Sequence, residues 1–497
     1  MRLIELLDGD LGSGMNAAAF DDYAVTGVTC DSRQVHPGYV FAAIPGTQTD
    51  GCRFIADAIG RGAIAVLAPP GTALTPPTPD IALVTDDNPR RRYALLAARY
   101  YAPQPETVVG VTGTNGKTSV VSFLRQIWTA SGRKCASAGT LGTVLGGFAA
   151  GAEPTLTQAI SLTTPDPADL HRCLAELAAN GIDSLALEAS SHGLDQFRLD
   201  GVRMAAAAFT NLTRDHLDYH GDMAGYLAAK RRLFAEILAA DGTAVINADD
   251  PHADAFIAAA LALGVAVLTC GRAGAEVVLH DQAPDAGGQR LDISIFGERH
   301  VVRLPLPGAF QGANALVALG LALATGVAPA DAVTALGALR GVRGRIERVG
   351  AHASGAEIFV DYAHTPDALR NVLETLRPHA TGALHVVLGC GGDRDPGKRP
   401  EMGRAAADVA DYVIVTDDNP RTEDAAAIRR AAMAGCPDAL EIGDRAAAIA
   451  AAIERLQAGD ILVVAGKGHE TGQIVGTEVR PFDDAEVVRT ILGGGAS

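Results

Sequence analysis

The chain has 497 residues, too many for one compact core, and its length predicts about two to four domains. Hydrophobic residues make up 48% and charged residues 20%, which excludes disordered and collagen-like classes. A formal charge of −17 gives no general attraction to nucleic acid or to an anionic membrane, so neither is an expected partner.

Cysteine usage and hydropathy favour a cytoplasmic protein. The seven cysteines are scattered, odd in number and without a CxxC pair, so we expect reduced thiols rather than disulfides or a zinc site. Residues 1–8 carry charges within their apolar stretch, unlike a signal peptide. The uncharged apolar stretch at residues 255–270 is shorter than the about 20 residues that cross a bilayer, so no membrane insertion is expected.

Residues 1–104 predict a small mixed α/β N-terminal domain. Short apolar runs alternate with turn signals, and a proline-rich loop precedes a strand at 81–84 and a helix at 90–101. Two further prolines, Pro103 and Pro105, are typical of a linker and mark the end of this domain.

Residues 105–342 predict a central P-loop-type parallel α/β ATPase domain. Apolar runs at 107–112 and 184–188 are typical of buried strands, and apolar residues at helical spacing predict helices at 119–131 and 169–180. Strands that alternate with helices in this way form a largely parallel sheet with crossover helices.

Residues 343–497 repeat this alternation and predict a C-terminal Rossmann-like α/β domain. In open α/β sheets, ligands collect at the carboxyl ends of the strands. Each predicted strand ends in a polar loop that contains glycine, so we expect the functional residues of this domain in those loops. The predicted strands are 357–360, 384–388, 412–416 and 461–465.

A glycine-rich turn between the first strand and the first helix of the central domain predicts a phosphate site. Backbone N–H groups in such a turn surround phosphate oxygens, and the helix dipole adds to the attraction. Lys117 would neutralise charge on the β- and γ-phosphates, and Thr118 would offer a hydroxyl to Mg²⁺. The strict P-loop has glycine where this chain has Val111, so the loop is a variant. The expected ATP-binding residues are Gly113, Thr114, Asn115, Gly116, Lys117, Thr118 and Ser119.

Glu188 and two histidines are candidates for holding magnesium or substrate beside the phosphates. Glu188 ends a predicted buried strand, where a metal-binding acid is expected, and His192 and His216 lie in polar loops that follow apolar runs. A single histidine of this kind is more often a hydrogen-bonded structural residue. In the company of a phosphate loop, roles in binding metal or substrate become the better interpretation.

Eight motifs occur in a fixed order: TGTNGKT, EASSHGL, NLTRDHLDYHG, GRIERV, DYAHTPDAL, GCGGDRD, DNPRTE and GKGHE. Over nearly the whole chain this order resembles the Mur ligase family, and within it the MurE type. The resemblance implies an ATP-dependent amide ligase that joins meso-2,6-diaminopimelate to UDP-N-acetylmuramoyl-L-alanyl-D-glutamate in peptidoglycan synthesis. ATP would phosphorylate a carboxylate of the UDP-linked substrate, the amine would attack the acyl phosphate, and phosphate would leave. We also expect a monomer.

The resemblance implies catalytic roles for Lys117, Glu188, His216 and Lys230. One magnesium would be held by Thr118 and Glu188, and a second by His216 and a carbamylated Lys230. From its sequence context alone, Lys230 is interpreted as an unremarkable residue on a helix surface. Carbamylation would convert this cation into an anionic metal ligand.

Two further sets of residues match nucleotide and substrate contacts of the family. Asn314, Arg345 and Asp361 match positions that contact ATP, and Asp361 is suited to ribose hydroxyls. Taken singly, the short polar residues among the substrate contacts would be interpreted as turns or helix caps. The UDP-linked substrate would be held by Ser32, Thr47, Gln48, Thr49, Thr163, Thr164, Ser190, Gln196 and Arg198.

The DNPR loop after the strand at 412–416 is implied to select the incoming amine. In the family this tetrapeptide accompanies meso-diaminopimelate, whereas lysine-adding members have another residue in place of the arginine. The second carboxylate of diaminopimelate can pair bidentately with Arg421, whereas the distal ammonium of lysine would be repelled. Glu470 is suited to the distal ammonium of diaminopimelate. The implied amine-binding residues are Arg394, Asp418, Asn419, Pro420, Arg421, Gly466 and Glu470.

A second DNPR copy, at residues 87–90, also follows a strand-like run and precedes a helix. Motif order assigns the selecting role to the later copy, and the earlier copy is interpreted as a helix start. The alternatives within the superfamily are the lysine-adding ligase, a folylpolyglutamate synthase and the ligase that adds D-Ala-D-Ala. An alternative from another class, a P-loop ATPase or GTPase, predicts hydrolysis without an amine and leaves the loops of the third domain unexplained.

Overall fold

The computed structural model describes residues 1–9, 20, 22–46, 49–76, 78–149, 152–156, 163–285 and 288–494. The chain forms two compact units. The first comprises Met1–Leu279, Ser294–Glu298 and Asn314–Ala335, and the second comprises His280–Ile293, Arg299–Ala313 and Leu336–Ser497. The predicted boundary between residues 104 and 105 lies inside the first unit, so the division into three domains stays a prediction.

The first unit begins with α1 (Leu3–Leu7), β1 (Gly27–Thr29), β2 (Tyr39–Ala42), α2 (Ile55–Gly60), β3 (Ala63–Ala68), β4 (Ala82–Thr85) and α3 (Pro89–Tyr101). The four strands form a parallel sheet in the order β1-β2-β3-β4. Successive side chains pack on opposite faces: Val40 and Leu67 lie in one apolar cluster, and Phe41 and Val66 lie in another. The sheet is therefore buried on both faces, as parallel sheets are.

The earlier DNPR copy forms the start of α3. Asn88 Oδ1 accepts a hydrogen bond from Arg91 N at 3.0 Å, and Pro89 occupies the first helical position. Asparagine at the cap and proline just after it are the preferred residues for a helix start. The interpretation of this copy as a helix start is confirmed.

The first unit continues with β5 (Thr107–Thr112), α4 (Lys117–Ala130), β6 (Cys135–Gly139), β7 (Gly142–Gly146), α5 (Pro167–Ala179), β8 (Ser184–Glu188), α6 (Ser191–Asp195), β9 (Met204–Phe209), α7 (Leu217–His220), α8 (Met223–Arg232), β10 (Leu238–Asn247), α9 (Ala253–Leu263) and β11 (Ala266–Gly271). Their strands run in the order β11-β10-β9-β5-β8-β6-β7, and only the edge pair β6 and β7 is antiparallel. The predicted strands β5 and β8 have the predicted bounds. Because β5 lies between β8 and β9, its carboxyl end is placed in the middle of the sheet.

The chain passes between the two units in the segment that holds β12 (Val277–Asp285), β13 (Gly288–Ile295), β14 (Glu298–Leu304), α10 (Ala309–Ala324) and α11 (Pro329–Leu336). The seven cysteines are free thiols, as predicted. In the part of the chain that the structure describes, no helix is both long enough and apolar enough to cross a bilayer.

The second unit holds β15 (Glu347–Ala351), β16 (Glu357–Asp361), α12 (Pro366–Leu376), β17 (Leu384–Cys390), α13 (Lys398–Ala407), β18 (Tyr412–Asp417), α14 (Ala425–Met433), β19 (Leu440–Glu441), α15 (Arg445–Glu454), β20 (Ile461–Ala465), β21 (Gly472–Val475), β22 (Glu478–Pro481) and α16 (Asp484–Gly494). Its main sheet has the order β15-β16-β20-β17-β18-β19, and only β15 is antiparallel to its neighbour. The four predicted strands are β16, β17, β18 and β20, so their carboxyl ends share one edge of this sheet.

A fully buried ion pair joins α15 to α16. The guanidinium of Arg445 makes two hydrogen bonds of 2.7 Å to the carboxylate of Asp484, and both side chains have 0% exposure. Arg445 Nη2 also donates to the carbonyl of Ala465, at the end of β20, at 3.0 Å. Arg445 therefore connects the end of β20 to the terminal helix, α16.

Replacing Asp484 by alanine is expected to lower the free energy of unfolding by about 3–5 kcal/mol, because it leaves the Arg445 charge buried and unpaired. Urea unfolding followed by circular dichroism measures the change. The matched control is Asp408→Ala, which removes an acid paired with Arg370 when both side chains are partly solvated. Such a pair contributes little. Equal effects of the two changes would contradict the structural role given to the buried pair.

Candidate active site

The phosphate loop, residues 113–119, follows the carboxyl end of β5 and includes the first turn of α4. Gly113 has φ 148°, and a Cβ at this position would collide with Thr210 Oγ1. Asn115 N donates a hydrogen bond of 2.9 Å to Asn211 Oδ1. The loop therefore lies directly against the segment that follows β9, and only glycine permits that approach at position 113.

Two lysines share one backbone carbonyl of the phosphate loop. Lys117 Nζ donates to Gly113 O at 3.0 Å, and Lys230 Nζ donates to the same oxygen at 2.8 Å. Lys230 is 1% exposed, and its Nζ lies 4.4 Å from the centre of the Tyr226 ring. Burial and the neighbouring Lys117 ammonium hold the pKa of Lys230 well below its usual range.

The interpretation of Lys230 as a helix-surface residue was wrong. Lys230 follows Tyr226 by four residues on α8, so both side chains lie on the same face of the helix. That face, which also carries Ala229, is buried. Because lysine is hydrophilic, the pattern of apolar residues in the sequence did not indicate that Lys230 faces the interior.

His216 is brought close to Lys230 by a shared aromatic neighbour. It precedes α7 with φ 51°, and its ring centre lies 6.3 Å from that of Tyr226, the ring that Lys230 also contacts. The His192 ring lies 4.8 Å from the His216 ring, and His216 Nε2 lies 3.3 Å from a carboxylate oxygen of Asp215. The two residues predicted for the second magnesium therefore belong to one cluster.

Glu188 is the last residue of β8, where it pairs in register with Val111 of β5. It is 1% exposed, and Thr140 donates to both of its carboxylate oxygens, from N at 2.9 Å and from Oγ1 at 3.1 Å. Thr140 Oγ1 also lies 3.1 Å from Thr163 Oγ1, a predicted substrate contact. Sequence reasoning missed Thr140, whose only signal is its position in the loop after β6.

The other substrate residues predicted in the central domain form a hydrogen-bonded network beside Glu188. Thr164 Oγ1 donates to the carbonyl of Glu188 at 3.0 Å and accepts from Ser190 N and Ser190 Oγ, both at 3.0 Å. Arg198 donates to the carbonyl of Thr164 at 2.7 Å and to Gln196 Oε1 at 2.7 Å. The structure thus brings this part of the predicted substrate site against a predicted metal ligand.

The substrate residues predicted in the first domain are less connected. Thr47 and Gln48 lie outside the described residues. Ser32 begins a short 3-10 helix capped by Asp31 and is 6% exposed, whereas Thr49 is exposed. Within the described ranges, neither Ser32 nor Thr49 is hydrogen-bonded to the network around Glu188.

Asn314 lies on α10 next to the phosphate loop. A Cβ on Gly116, whose φ is 87°, would collide with Asn314 Oδ1. Asn314 is 6% exposed, so its amide is held at the loop rather than in solvent. The structure therefore brings this predicted nucleotide contact to the predicted phosphate site.

In the second unit, the two other predicted nucleotide contacts lie in adjoining loops. Asp361 ends β16, and its carboxylate accepts from Ile346 N at 2.7 Å and from Ala363 N at 2.8 Å. Burial raises the pKa of Asp361. The guanidinium of Arg345 lies 4.8 Å from the centre of the Tyr362 ring. By accepting a hydrogen bond from Ile346 N, Asp361 fixes the backbone next to Arg345.

Three loops that follow neighbouring strands, β17, β18 and β20, hold the residues predicted to bind the amine. Arg421 has φ 49°; its Nη1 donates to the carbonyl of Gly392 at 2.7 Å, and its backbone N donates to the carbonyl of Ile474 at 3.0 Å. Asn419 Nδ2 donates to Glu470 Oε2 at 2.8 Å. The DNPR loop is therefore in contact with the loop after β17 and with the segment after β20, as expected for strand ends at one edge of a sheet.

The remaining amine-site residues complete this arrangement. Gly466 has φ 115°, and a Cβ there would lie 2.7 Å from Asp418 Oδ2, so the close approach of the two loops depends on glycine. Arg394, in the loop after β17, is exposed and donates to the carbonyl of the preceding residue at 3.4 Å. Pro420 follows Asn419 within the DNPR loop, and its carbonyl would collide with a Cβ on Gly392.

Lys467 is a residue of this site that sequence reasoning missed. Its side chain has 0% exposure, and its Nζ donates to Asn419 Oδ1 at 3.0 Å and to Glu470 Oε2 at 2.9 Å. Its place inside the GKGHE motif, next to Gly466, was the available signal.

Family models match three successive segments of the chain. Residues 24–101 match the Mur ligase family catalytic domain, residues 111–322 the Mur ligase middle domain, and residues 344–468 the Mur ligase glutamate ligase domain. These segments include the phosphate loop, Glu188, Lys230 and the DNPR loop.

Proteins similar over the full length point to the same family. A Bradyrhizobium diazoefficiens protein named UDP-N-acetylmuramoyl-L-alanyl-D-glutamate--2,6-diaminopimelate ligase is 52% identical, and the match covers 99% of each chain. A solved structure of a ligase of that name is 34% identical, covers 100% of both chains and has a TM-score of 0.73. A MurF ligase from Thermotoga maritima, solved in complex with ADP, shares the fold at 19% identity and a TM-score of 0.60, with 97% of this chain and 99% of that chain covered. With its α/β fold, its three matched segments and these relatives, the chain belongs to the Mur ligase family.

Proposed function

We propose that the chain is an ATP-dependent amide ligase that adds meso-2,6-diaminopimelate to UDP-N-acetylmuramoyl-L-alanyl-D-glutamate in peptidoglycan synthesis. The Bradyrhizobium diazoefficiens relative, named for these substrates, supports the proposal over the whole length. The observation that carries the choice of amine is the position of Arg421 among the loops after β17, β18 and β20. A guanidinium there pairs with the far carboxylate of diaminopimelate, which lysine lacks.

The proposed reaction has two steps. A carboxylate oxygen of the terminal glutamyl residue attacks the γ-phosphorus of ATP, and the bond from that phosphorus to the bridging oxygen breaks, which releases ADP. The unprotonated amine of diaminopimelate then attacks the acyl carbon, loses a proton, and the tetrahedral intermediate expels phosphate. Phosphorylation supplies the leaving group that a carboxylate lacks, and the chain contributes positioning and charge screening.

Nucleotide use fits the Mur ligase family, and Lys117 would exchange its present hydrogen bonds for bonds to phosphate when ATP binds. Lys117 Nζ donates to the carbonyls of Gly113 and Thr114 at 3.0 and 2.9 Å. A charge-assisted bond to phosphate is about twice as strong as a bond between neutral groups, so phosphate oxygens displace these carbonyls. The ATP site is assigned to Gly113, Thr114, Asn115, Gly116, Lys117, Thr118, Ser119, Asn314, Arg345 and Asp361.

Glu188 and Thr118 fit one magnesium ion. Mg²⁺ prefers oxygen ligands, and the two side chains supply a carboxylate and a hydroxyl. Each carboxylate oxygen of Glu188 accepts one bond from Thr140, which leaves lone pairs for a metal. The bound ion would screen the repulsion between the substrate carboxylate and the phosphates.

An unmodified Lys230 does not fit a second magnesium, because an ammonium has no lone pair to donate. We therefore propose that Lys230 is carbamylated: its neutral amine attacks carbon dioxide and loses a proton, which gives an anionic carbamate. Burial beside Lys117 favours the neutral amine that this step needs. His216, which shares Tyr226 as a neighbour, would be the second protein ligand.

We assign one ligand to each predicted domain. Residues 1–104 would bind the UDP-linked substrate, residues 105–342 ATP, and residues 343–497 the amine. Seven free thiols support a reducing, cytoplasmic location, and sedimentation velocity would test the proposed monomer. The UDP-linked substrate is assigned to Ser32, Thr47, Gln48, Thr49, Thr163, Thr164, Ser190, Gln196 and Arg198. The amine is assigned to Arg394, Asp418, Asn419, Pro420, Arg421, Gly466 and Glu470.

Phosphate release tests this proposal. The purified chain is supplied with UDP-N-acetylmuramoyl-L-alanyl-D-glutamate, ATP and Mg²⁺, together with meso-diaminopimelate, L-lysine or no amine. We expect release with diaminopimelate to exceed release with lysine by about tenfold or more, since the pairing of one carboxylate with Arg421 contributes at least about 1.4 kcal/mol. Equal release without an amine would identify an ATPase, and preference for lysine would identify the lysine-adding ligase.

A further inference from the structure

Lys467 is a buried cation for which the proposed reaction has no role so far. It lies between Gly466 and Gly468 in the loop after β20, and its side chain has 0% exposure. The chain contains only five lysines against 36 arginines. Burying an ammonium costs free energy unless hydrogen bonds and opposite charge compensate for it, so its partners indicate its purpose.

The partners of Lys467 are two of the residues assigned to the amine. Its Nζ donates to Asn419 Oδ1 at 3.0 Å and to Glu470 Oε2 at 2.9 Å, and Asn419 Nδ2 donates to the same Glu470 oxygen at 2.8 Å. Asn419 Oδ1 also accepts from Ile474 N at 2.9 Å. These bonds close a triangle that sets the orientation of the Asn419 amide and of the Glu470 carboxylate.

Glu470 is left able to bind a ligand. Both hydrogen bonds that Glu470 accepts within the triangle go to Oε2, so Oε1 lies outside it. The Glu470 side chain is 32% exposed. The carboxylate is therefore anchored on one oxygen by the buried cation, and the other oxygen can face the amine. Without Lys467, Asn419 Oδ1 and Glu470 Oε2 would each lose a hydrogen bond from a cation.

The charge of Lys467 also bears on which amine is accepted. The charged residues assigned to the amine are Arg394, Arg421, Asp418 and Glu470, and Asp393 interacts with both of these arginines. Nearby Arg445 is neutralised by its own partner, Asp484. Lys467 lies 2.9 Å from a carboxylate oxygen of Glu470 and offsets the negative charge of that carboxylate. Such a site favours an amine whose far end carries both ammonium and carboxylate over one that ends in ammonium alone.

We propose that Lys467 is a positioning and specificity residue: it fixes Asn419 and Glu470, and its charge favours an amine with a carboxylate at the far end. The inference rests on the proposed function, and it assigns to this buried ammonium part of the discrimination so far given to Arg421 alone.

The test is the ratio of kcat/KM for meso-diaminopimelate to kcat/KM for L-lysine in Lys467→Gln and Lys467→Met. We expect the ratio to fall by about tenfold or more, since a unit charge a few ångströms away is removed, while the KM for ATP stays unchanged. Both values of kcat/KM scale with the amount of folded enzyme, so their ratio is insensitive to partial unfolding. The matched control is Lys134→Gln, an exposed lysine in the first unit, which should leave the ratio unchanged.

The outcomes separate the two proposals. A wild-type chain that does not use diaminopimelate would overturn the proposed function. A wild-type chain that prefers diaminopimelate, with the same ratio in both Lys467 variants, would overturn the role of Lys467 alone. If Lys467 acts through Glu470, the effects of Lys467→Gln and Glu470→Gln on the KM for diaminopimelate are non-additive in the double variant; additive effects would contradict the positioning role.

Discussion

Replacing Lys230 by alanine is expected to lower kcat by about 10²–10³-fold, the scale observed when one preorganised electrostatic group is removed. The proposed carbamate is the anionic half of a metal site whose other protein ligand is His216. Its loss would leave the transferred phosphoryl group and the substrate carboxylate less screened from one another. The buried Nζ that would carry the carbamate lies on the Gly113 carbonyl and beside the Tyr226 ring.

Initial rates at saturating substrates measure this effect, and partial recovery of kcat by added formate or acetate would show that a carboxylate is what is missing. The control is Lys134→Ala, which removes an exposed lysine and should leave kcat unchanged. A Lys230→Ala enzyme with nearly normal kcat would contradict the assignment of Lys230 to the metal site.

Replacing Arg421 by alanine is expected to raise the KM for meso-diaminopimelate by about 30-fold or more and to leave the KM for ATP nearly unchanged. Removing one partner of a desolvated charge pair costs about 2–5 kcal/mol, and each 1.4 kcal/mol is tenfold. Arg421 has φ 49°, a conformation unfavourable for alanine, so Arg421→Gly should be made in parallel. Similar rises in both variants would assign the effect to the guanidinium rather than to backbone strain.

The chain supplies a matched control in its earlier DNPR copy. Arg90 occupies the same place in the same tetrapeptide, but it donates to the carbonyl of Pro45 at 2.6 Å and belongs to a helix start. Arg90→Ala should therefore leave the KM for diaminopimelate unchanged. Equal effects of Arg421→Ala on the KM values for ATP and diaminopimelate, or a large effect of Arg90→Ala, would contradict the selecting role.

The two DNPR copies show what sequence reasoning could and could not reach. In the first copy Asn88 caps a helix that begins at once, whereas in the second Asn419 is bonded to Lys467 and Glu470, and α14 begins only at Ala425. Four identical residues adopt different structures because their tertiary partners differ. Motif order separated the copies, but the contacts that distinguish them come from distant parts of the chain.

Elements with a strong local signal were predicted well. The strands β5, β8 and β20 have the predicted bounds, because a strand that is buried on both faces is a run of consecutive apolar residues. The rule that ligands collect at carboxyl strand ends agrees with the positions of Glu188, the last residue of β8, and of Arg421, in the loop after β18; both contact the loop of a neighbouring strand.

The positions of buried polar residues were not predicted from the sequence pattern. Lys230 and Lys467 are among the largest fully buried side chains, yet a lysine in a sequence signals a solvated surface. Their burial depends on carbonyl and carboxylate partners, Gly113 and Glu470, that lie far along the chain or beyond a tight turn. Hydrophobic periodicity cannot show such compensation, so only the resemblance pointed to Lys230, and only the GKGHE motif offered a signal for Lys467.

The transfer of ¹⁸O from substrate to phosphate tests the proposed ligase chemistry most directly. UDP-N-acetylmuramoyl-L-alanyl-D-glutamate labelled with ¹⁸O in its glutamyl carboxylates is converted with ATP, Mg²⁺ and meso-diaminopimelate, and the released phosphate is analysed by mass spectrometry. Activation through an acyl phosphate predicts one ¹⁸O atom in each phosphate, because the attacking carboxylate oxygen leaves with phosphorus. Phosphate without the label, released alongside amide product, would contradict this account.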